Sequence, residues 1–309
     1  MRGRRVVLVT GMHRSATTFT GRILATVPGT AYLQEPFNWH YGLAGVNTMY
    51  PIFPSQAADG RDDLVELYDR VVALRARYRR WRTNDRPAAR AARLLFAGQA
   101  GRSQLRARLA RPPATTVVIK DPYLSLAVPW LVEHRDVRCV QLLRHPMAIW
   151  RSVQRMGWGL DFSAVGGPQL DERLSTLGLP DRAKIARAPL AERQAYLWTL
   201  LYGEIGTPGA TGDVLVVRHE DLSATPHDLF ERIAAHTGLV LPATTHAEIT
   251  SRTEAETVTP EAGHLHEFSR HSASVAWAWT RHDPNDDERA IRVITEPTVE
   301  RLYGSWRPE

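Results

Sequence analysis

The chain has 309 residues, 43% hydrophobic and 23% charged, the proportions of a globular protein. No apolar run approaches the roughly 20 residues of a bilayer-spanning helix. The basic start Met1-Arg2-Gly3-Arg4-Arg5 leads straight into an expected strand, so no signal peptide is expected. A single cysteine, Cys139, rules out an intrachain disulfide, so a reducing, cytoplasmic setting is expected. The net charge of +6 is uneven: residues 61–111 hold 14 Arg against five acids, a local +9 that leaves −3 on the rest. That block reads as a solvated helical face or as an electropositive wall for an anionic ligand. No zinc, helix-turn-helix or RNA-binding signature accompanies it, so nucleic acid is not an expected partner.

In chain order, Val6-Val7-Leu8-Val9 predicts a buried strand and Thr18 to about Val27 a helix. Thr30-Ala31-Tyr32-Leu33 predicts a second strand, which exits through Gln34-Glu35-Pro36-Phe37-Asn38-Trp39; Pro36 keeps Glu35 extended. Residues 41–60 read as an irregular loop. Apolar spacing predicts a long amphipathic helix from about Asp63 to Arg82, and an Ala/Arg-rich helix from Pro87 to about Leu109. Strands follow at Thr115–Ile119 and Val137–Leu143, with a helical stretch near Ser125–His134 between them. Pro146 suits the first turn of a helix that runs to about Met156. Residues 157–190, rich in Gly, Pro and charge, read as a mobile loop or lid. A helix is expected over Ala191–Tyr202, a last strand at Val214–Val217, and a further helix capped by Thr225 ahead of Pro226.

Apolar strands alternating with helices indicate an α/β fold: a P-loop-like, three-layer α/β/α arrangement around a central parallel sheet. The expected organisation is one domain over 1–309, with a helical insertion at about 61–111 and a variable segment at about 157–190. Ligands of such folds bind at the carboxyl ends of strands. Gly11 to Thr18, Glu35, Lys120 and Arg144 all directly follow predicted strands. The stretch Gly11-Met12-His13-Arg14-Ser15-Ala16-Thr17-Thr18 imitates the nucleotide loop G-x-x-x-x-G-K-[ST], but Ala16 replaces the second glycine and Thr17 the lysine. Strand, small-residue loop and helix N-terminus form a cradle for an anionic group. Only Lys120 and Lys184 are lysines among the 39 basic residues, which singles out Lys120 at its strand end.

Taken together, these residues resemble the sulfotransferase family, which uses 3′-phosphoadenosine 5′-phosphosulfate as sulfuryl donor and releases 3′,5′-adenosine bisphosphate. The family's loop core [KR]-[ST]-[GAS]-[TS]-[TS] reads Arg14-Ser15-Ala16-Thr17-Thr18 here. A strand-end arginine and a serine eight residues later, which hold the 3′-phosphate in the family, are matched by Arg144 and Ser152; Arg155 lies on the same helical face. A third block, often R-Y-E-D-L, reads Arg218-His219-Glu220-Asp221-Leu222. Arg270 and Ser272 resemble a family segment that closes over the nucleotide. In the carbohydrate and tyrosylprotein branches a glutamate in a Glu-Pro context is the base, and Glu35-Pro36 matches it. That role asks for a carboxylate in a partly desolvated cleft with its pKa raised toward working pH. His13 is the competing base, since the cytosolic small-molecule branch uses histidine, although at another position. Lys120 in Lys120-Asp121-Pro122-Tyr123 resembles the lysine of K-[ST]-P-x-[YF], and it shares with Arg14 the task of stabilising the sulfonate and leaving oxygen.

The resemblance implies in-line sulfuryl transfer to a hydroxyl of a small-molecule or carbohydrate acceptor, with no metal. Residues 37–60, the Arg-rich helices and 157–190 would set the acceptor, and nothing in the sequence fixes an oligomeric state. Two alternatives stand beside it. One is a P-loop kinase or NTPase, opposed by Thr17 in place of the lysine and by the lack of a strand-end acid other than Asp121. The other is a nucleotide-binding protein without catalysis.

Overall fold

The computed structural model describes residues 4–53, 63–79, 98–110, 112–205, 213–253, 276–281 and 284–307. Five strands, β1 (Arg5–Gly11), β2 (Thr30–Gln34), β3 (Thr116–Lys120), β4 (Val137–Leu143) and β5 (Val214–Arg218), form one sheet in the order β2-β3-β1-β4-β5, every pair parallel. Alternation along β1 divides the core: Val6 and Leu8 face one apolar layer, Val7 and Val9 the other. Both faces are covered, which is why the strands read as continuous apolar runs.

One face carries α1 (Thr17–Leu24) together with α10 (Pro226–Thr237) and α11 (Ala243–Thr253), through Ile23, Leu24, Phe230, Ile233 and Ile249. The other is covered by α4 (Val128–His134), α5 (Pro146–Met156) and α8 (Leu190–Tyr202), onto which the final helix α12 (Asp286–Tyr303) packs. This is the three-layer α/β/α arrangement. From β1 the chain crosses over to β2 and β3 on one side, then to β4 and β5 on the other, so the strand order reverses at β1, whose carboxyl end is where folds of this kind bind ligands.

Several expectations are corrected. The helix expected to reach Arg82 is α2 (Asp63–Val72). Leu74 then takes φ +58°, and burial alternates, with Leu74, Ala76 and Tyr78 inside and Arg75 and Arg77 outside. That Leu-Arg-Ala-Arg-Tyr run has a period of two, so it lies extended: Tyr78 bridges Leu43, and the Gln104 side chain bonds both backbone groups of Ala76. The Ala/Arg-rich helix is described as α3 (Gly98–Leu109); residues 80–97 lie outside the described residues. The stretch 157–190 is not an open loop. It contains α6 (Leu170–Thr176) and α7 (Arg182–Arg187), anchored in the core by Phe162, Val165, Leu170, Leu174 and Ile185. Thr225 precedes Pro226 as expected, but its hydroxyl bonds the Asp221 carbonyl at 3.4 Å and caps nothing.

Candidate active site

The loop after β1 is shaped by backbone geometry first. Gly11 has φ +134°, and a Cβ there would lie 2.2 Å from the Leu142 carbonyl oxygen, so no other residue fits between β1 and β4. Arg14 and Ala16 both sit in the left-handed region, at φ 72° and 70°. Ala16 is the N-cap of α1 and offers no side-chain oxygen, and no acid occupies the first turn. The leading N–H groups of α1 therefore keep their capacity for an external anion. Ser15 braces the loop from within by donating to the Met12 carbonyl. Thr17 is buried and Thr18 half-buried on the first turn. The Tyr202 hydroxyl accepts from the Met12 N–H at 2.6 Å and donates to the Leu142 carbonyl at 2.8 Å, while Ser125 accepts from the Gly11 N–H at 3.1 Å. The loop is rigidly held before any ligand arrives.

Arg144, just past β4, reaches this loop. Its Nη1 donates to the Arg14 carbonyl at 2.7 Å, and Arg14 Nε donates to Ser152 Oγ on α5 at 2.8 Å. Arg144 is buried, and its Nε has no hydrogen-bond partner among the described residues. Burial lowers its pKa to about 10, against the pull of the Glu220 carboxylate; Arg14 and Arg155 add positive charge nearby. A buried guanidinium with an unmet donor is a site for an anion. The third sequence block stands behind it. Glu220, on α9 (His219–Ala224), accepts from the His145 backbone N–H at 3.0 Å and from the Tyr303 hydroxyl at 3.1 Å. His145 stacks on Trp279 at 4.4 Å, and its Nδ1 accepts from the Met147 N–H. Arg144 thus emerges from a backbone pinned on both sides.

The carboxylate side is built by register. Lys120 pairs with Gln34 of β2 and Val9 of β1, so Glu35 emerges one residue beyond it. Glu35 takes φ 50°, in the left-handed region and not the extended conformation expected ahead of Pro36, and its N–H donates to the Lys120 carbonyl at 2.7 Å. Lys120 Nζ ion-pairs with Glu35 Oε1, and Asn38 Nδ2 donates to Oε2 at 2.9 Å. Burial pushes the Glu35 pKa up, but the Lys120 charge and these hydrogen bonds prevail and hold it below the usual carboxylate range. The expectation of a raised pKa is therefore wrong for the ligand-free protein: its cation lies 85 residues away along the chain. His13 lies close enough to Glu35, Lys120 and Arg14 to feel all three charges, and burial lowers its pKa to about 4.

Asp121 does different work. Its two carboxylate oxygens accept from the Phe37 N–H at 2.5 Å and the Tyr123 N–H at 3.0 Å, tying the exit of β2 to that of β3. Asn38, Tyr50, Tyr123 and Trp158 belong to the site without having been singled out as site residues in the sequence, though Tyr123 stands inside the quoted lysine motif. Arg270 and Ser272 lie outside the described residues. Among the described residues no cluster of three or more His, Cys, Asp or Glu could hold a metal ion, and no helix is long and apolar enough to cross a membrane.

A parallel sheet whose first strand runs into a small-residue loop and a helix N-terminus, with arginines on one side and a carboxylate–lysine pair on the other, places the chain in the P-loop-like class of α/β folds. Residues 7–243 match the model of the sulfotransferase family, and the chain belongs to that family. No curated protein sequence matches the chain. Similar solved structures include the sulfotransferase domain of the Synechococcus PCC 7002 olefin synthase (15% identity, TM-score 0.46, covering 95% of this chain and 93% of that one). Others are a sulfotransferase from Mycobacterium avium (16%, TM-score 0.41, 97% and 76%) and one from Alicyclobacillus acidocaldarius (14%, TM-score 0.40, 99% and 98%).

Proposed function

We propose that the protein transfers a sulfuryl group from 3′-phosphoadenosine 5′-phosphosulfate to a hydroxyl of a small-molecule or carbohydrate acceptor, with Glu35 as base. The observation that carries this reading is the ion pair of half-buried Glu35 with fully buried Lys120, set side by side at the ends of β2 and β3. In this reading the 11–18 loop and the α1 N-terminus hold the 5′-phosphosulfate through Arg14, Ser15, Ala16, Thr17 and Thr18. Arg144 and Ser152 hold the 3′-phosphate, with Arg270 and Ser272 closing over the nucleotide. Lys120 keeps Glu35 ionised before the donor arrives. Once drawn to the leaving oxygen, Lys120 releases Glu35, whose basicity rises where an acceptor proton has to be taken. Acceptor choice would fall to residues 37–60, the insertion at 61–111 and the segment at 157–190.

The kinase reading loses support because both Asp121 oxygens are committed to backbone N–H groups, and Glu35, the acid at the end of β2, is ion-paired to Lys120 and bonded to Asn38. Thermal unfolding with 3′,5′-adenosine bisphosphate, compared with ATP plus Mg²⁺, separates the two; stabilisation by ATP–Mg²⁺ alone would sink the sulfotransferase assignment. With labelled donor and a panel of hydroxyl acceptors, Glu35→Gln should cut turnover by roughly 100-fold or more while nucleotide binding stays nearly intact. Unchanged turnover in that variant would move the base elsewhere.

A further inference from the structure

His13 occupies the loop position between Met12 and Arg14, and three aromatic rings enclose its imidazole edge-on. Tyr50, Tyr123 and Trp158 lie at 5.7, 4.8 and 6.3 Å between ring centroids. The Tyr50 hydroxyl, itself fully buried, lies 2.6 Å from His13 Nδ1. Among the described residues Nδ1 is the partner of this buried hydroxyl; were the phenol to accept there, its own O–H would be left without an acceptor, so Tyr50 donates and Nδ1 accepts. The imidazole proton then sits on Nε2. A second proton is opposed: burial disfavours it most, and the Lys120 and Arg14 charges disfavour it further, against the attraction of Glu35.

We propose that His13 is a catalytic residue that acts as a neutral hydrogen-bond donor from Nε2 to the sulfonate, with Tyr50 as the positioning residue that fixes its tautomer. This rests on the sulfotransferase reading above. His13 is then not a base: Nδ1 is occupied by Tyr50, and Nε2 has no free lone pair. In the transfer, the acceptor oxygen forms a bond to sulfur as the bond from sulfur to the bridging phosphate oxygen breaks. The leaving oxygen keeps the electron pair, Glu35 takes the acceptor's proton, and His13 retains its own. A neutral donor suits this place. In a loose transition state negative charge moves off the transferring group toward the leaving oxygen, so a cation on the equatorial oxygens would favour the ground state. The cations are better used at the leaving oxygen, where charge grows. The charged and titratable groups around the ring are Glu35, Lys120, Arg14, Tyr50 and Tyr123.

Nitrogen-15 NMR of histidine-labelled protein, with His13 identified by its loss in His13→Gln, reads the tautomer directly. The expected state is Nε2–H with an accepting Nδ1, unchanged from pH 5.5 to 8. Tyr50→Phe should bring in a tautomer mixture. The His13 Nε2 signal should move on adding the phosphosulfate donor and stay in place with 3′,5′-adenosine bisphosphate, which lacks the sulfonate. In kinetics, His13→Ala should lower kcat about 100-fold with bisphosphate affinity little changed, and His13→Gln, which keeps an N–H donor, should recover much of that loss. A proton on Nδ1, a titration near neutral pH in the unaltered protein, or an equal shift with both nucleotides would overturn the assignment. Binding of both with an unmoved Nε2 removes the role of His13 alone. Failure of both to bind removes the sulfotransferase reading, and this role with it.

Discussion

Glu35 shows how one partner sets the chemistry of a residue. Without Lys120, its partial burial would raise its pKa and make it a stronger base. Paired, it is ionised but weakly basic. The two states belong to different points of the catalytic cycle if Lys120 moves to the donor, and pH–rate profiles distinguish them. The profile of kcat/KM reports the free enzyme, where Glu35 stays ionised, so its acid limb should lie below the ordinary glutamate pKa of 4.5. The profile of kcat reports the loaded enzyme, where Glu35 has lost its cation, so its acid limb should lie at higher pH. Coincident acid limbs would show that Lys120 never leaves Glu35.

Among the elements, α1 matters both as an anion cradle and as a spacer. Gly21 faces β3, and a Cβ there would lie 2.9 Å from Lys120 Cβ and 3.0 Å from both Lys120 Cγ and Tyr32 Cε2. Helix propensity alone favours Gly21→Ala by about 1 kcal/mol. Overpacking against a fixed strand costs about 1–3 kcal/mol, so crowding wins and displaces the lysine stem. The expected result is a lower Tm and a loss of turnover of about tenfold or more, with bisphosphate affinity near normal. A raised Tm in calorimetry, with unchanged kcat, would show that α1 has room to spare. The sequence made the strands and the loop legible because burial on both faces turns each strand into an apolar run, and the loop residues are contiguous. It hid the Glu35–Lys120 pair because strand order, not spacing, makes β2 and β3 neighbours. It hid the extended Leu74–Tyr78 segment because an alternating Leu-Arg-Ala-Arg-Tyr run directly continues a helix. It hid α6 and α7 because helices of seven and six residues are too short to show a period. Glu220 was visible as part of a motif, but its task of pinning the His145 backbone appears only once β4 and β5 lie side by side.

Across the whole molecule, buried titratable groups of opposite sign set the pH range of stability. Burial holds His13, His145 and His219 neutral, with pKa values of about 4, about 3 and well below 6.5. In the unfolded chain each titrates near 6.5, so below that pH the unfolded state binds protons that the native state refuses. Stability therefore rises with pH from about 4 to 6.5, by up to about 1.4 kcal/mol per pH unit for each histidine. Asp121 and Glu220 act in the other direction. Burial raises both, Asp121 to about 8, so the native state keeps protons that the unfolded chain loses above about pH 4. Their contribution is present in acid and is lost as pH rises through the folded pKa. Three histidines outweigh two carboxyls on the acid side, while above pH 6.5 the histidines stop titrating and Asp121 continues to lower stability toward pH 8. The free energy of unfolding from urea titrations should therefore peak near pH 6.5 and fall on both sides. Asp121→Asn should lose stability overall, because an amide offers only one acceptor to the Phe37 and Tyr123 N–H groups, yet it should flatten the decline between pH 6.5 and 8. A stability that climbs steadily to pH 8 in the unaltered protein would mean that Asp121 is ionised in its buried position, held there by those two backbone donors and Lys120 against the charge of Glu35.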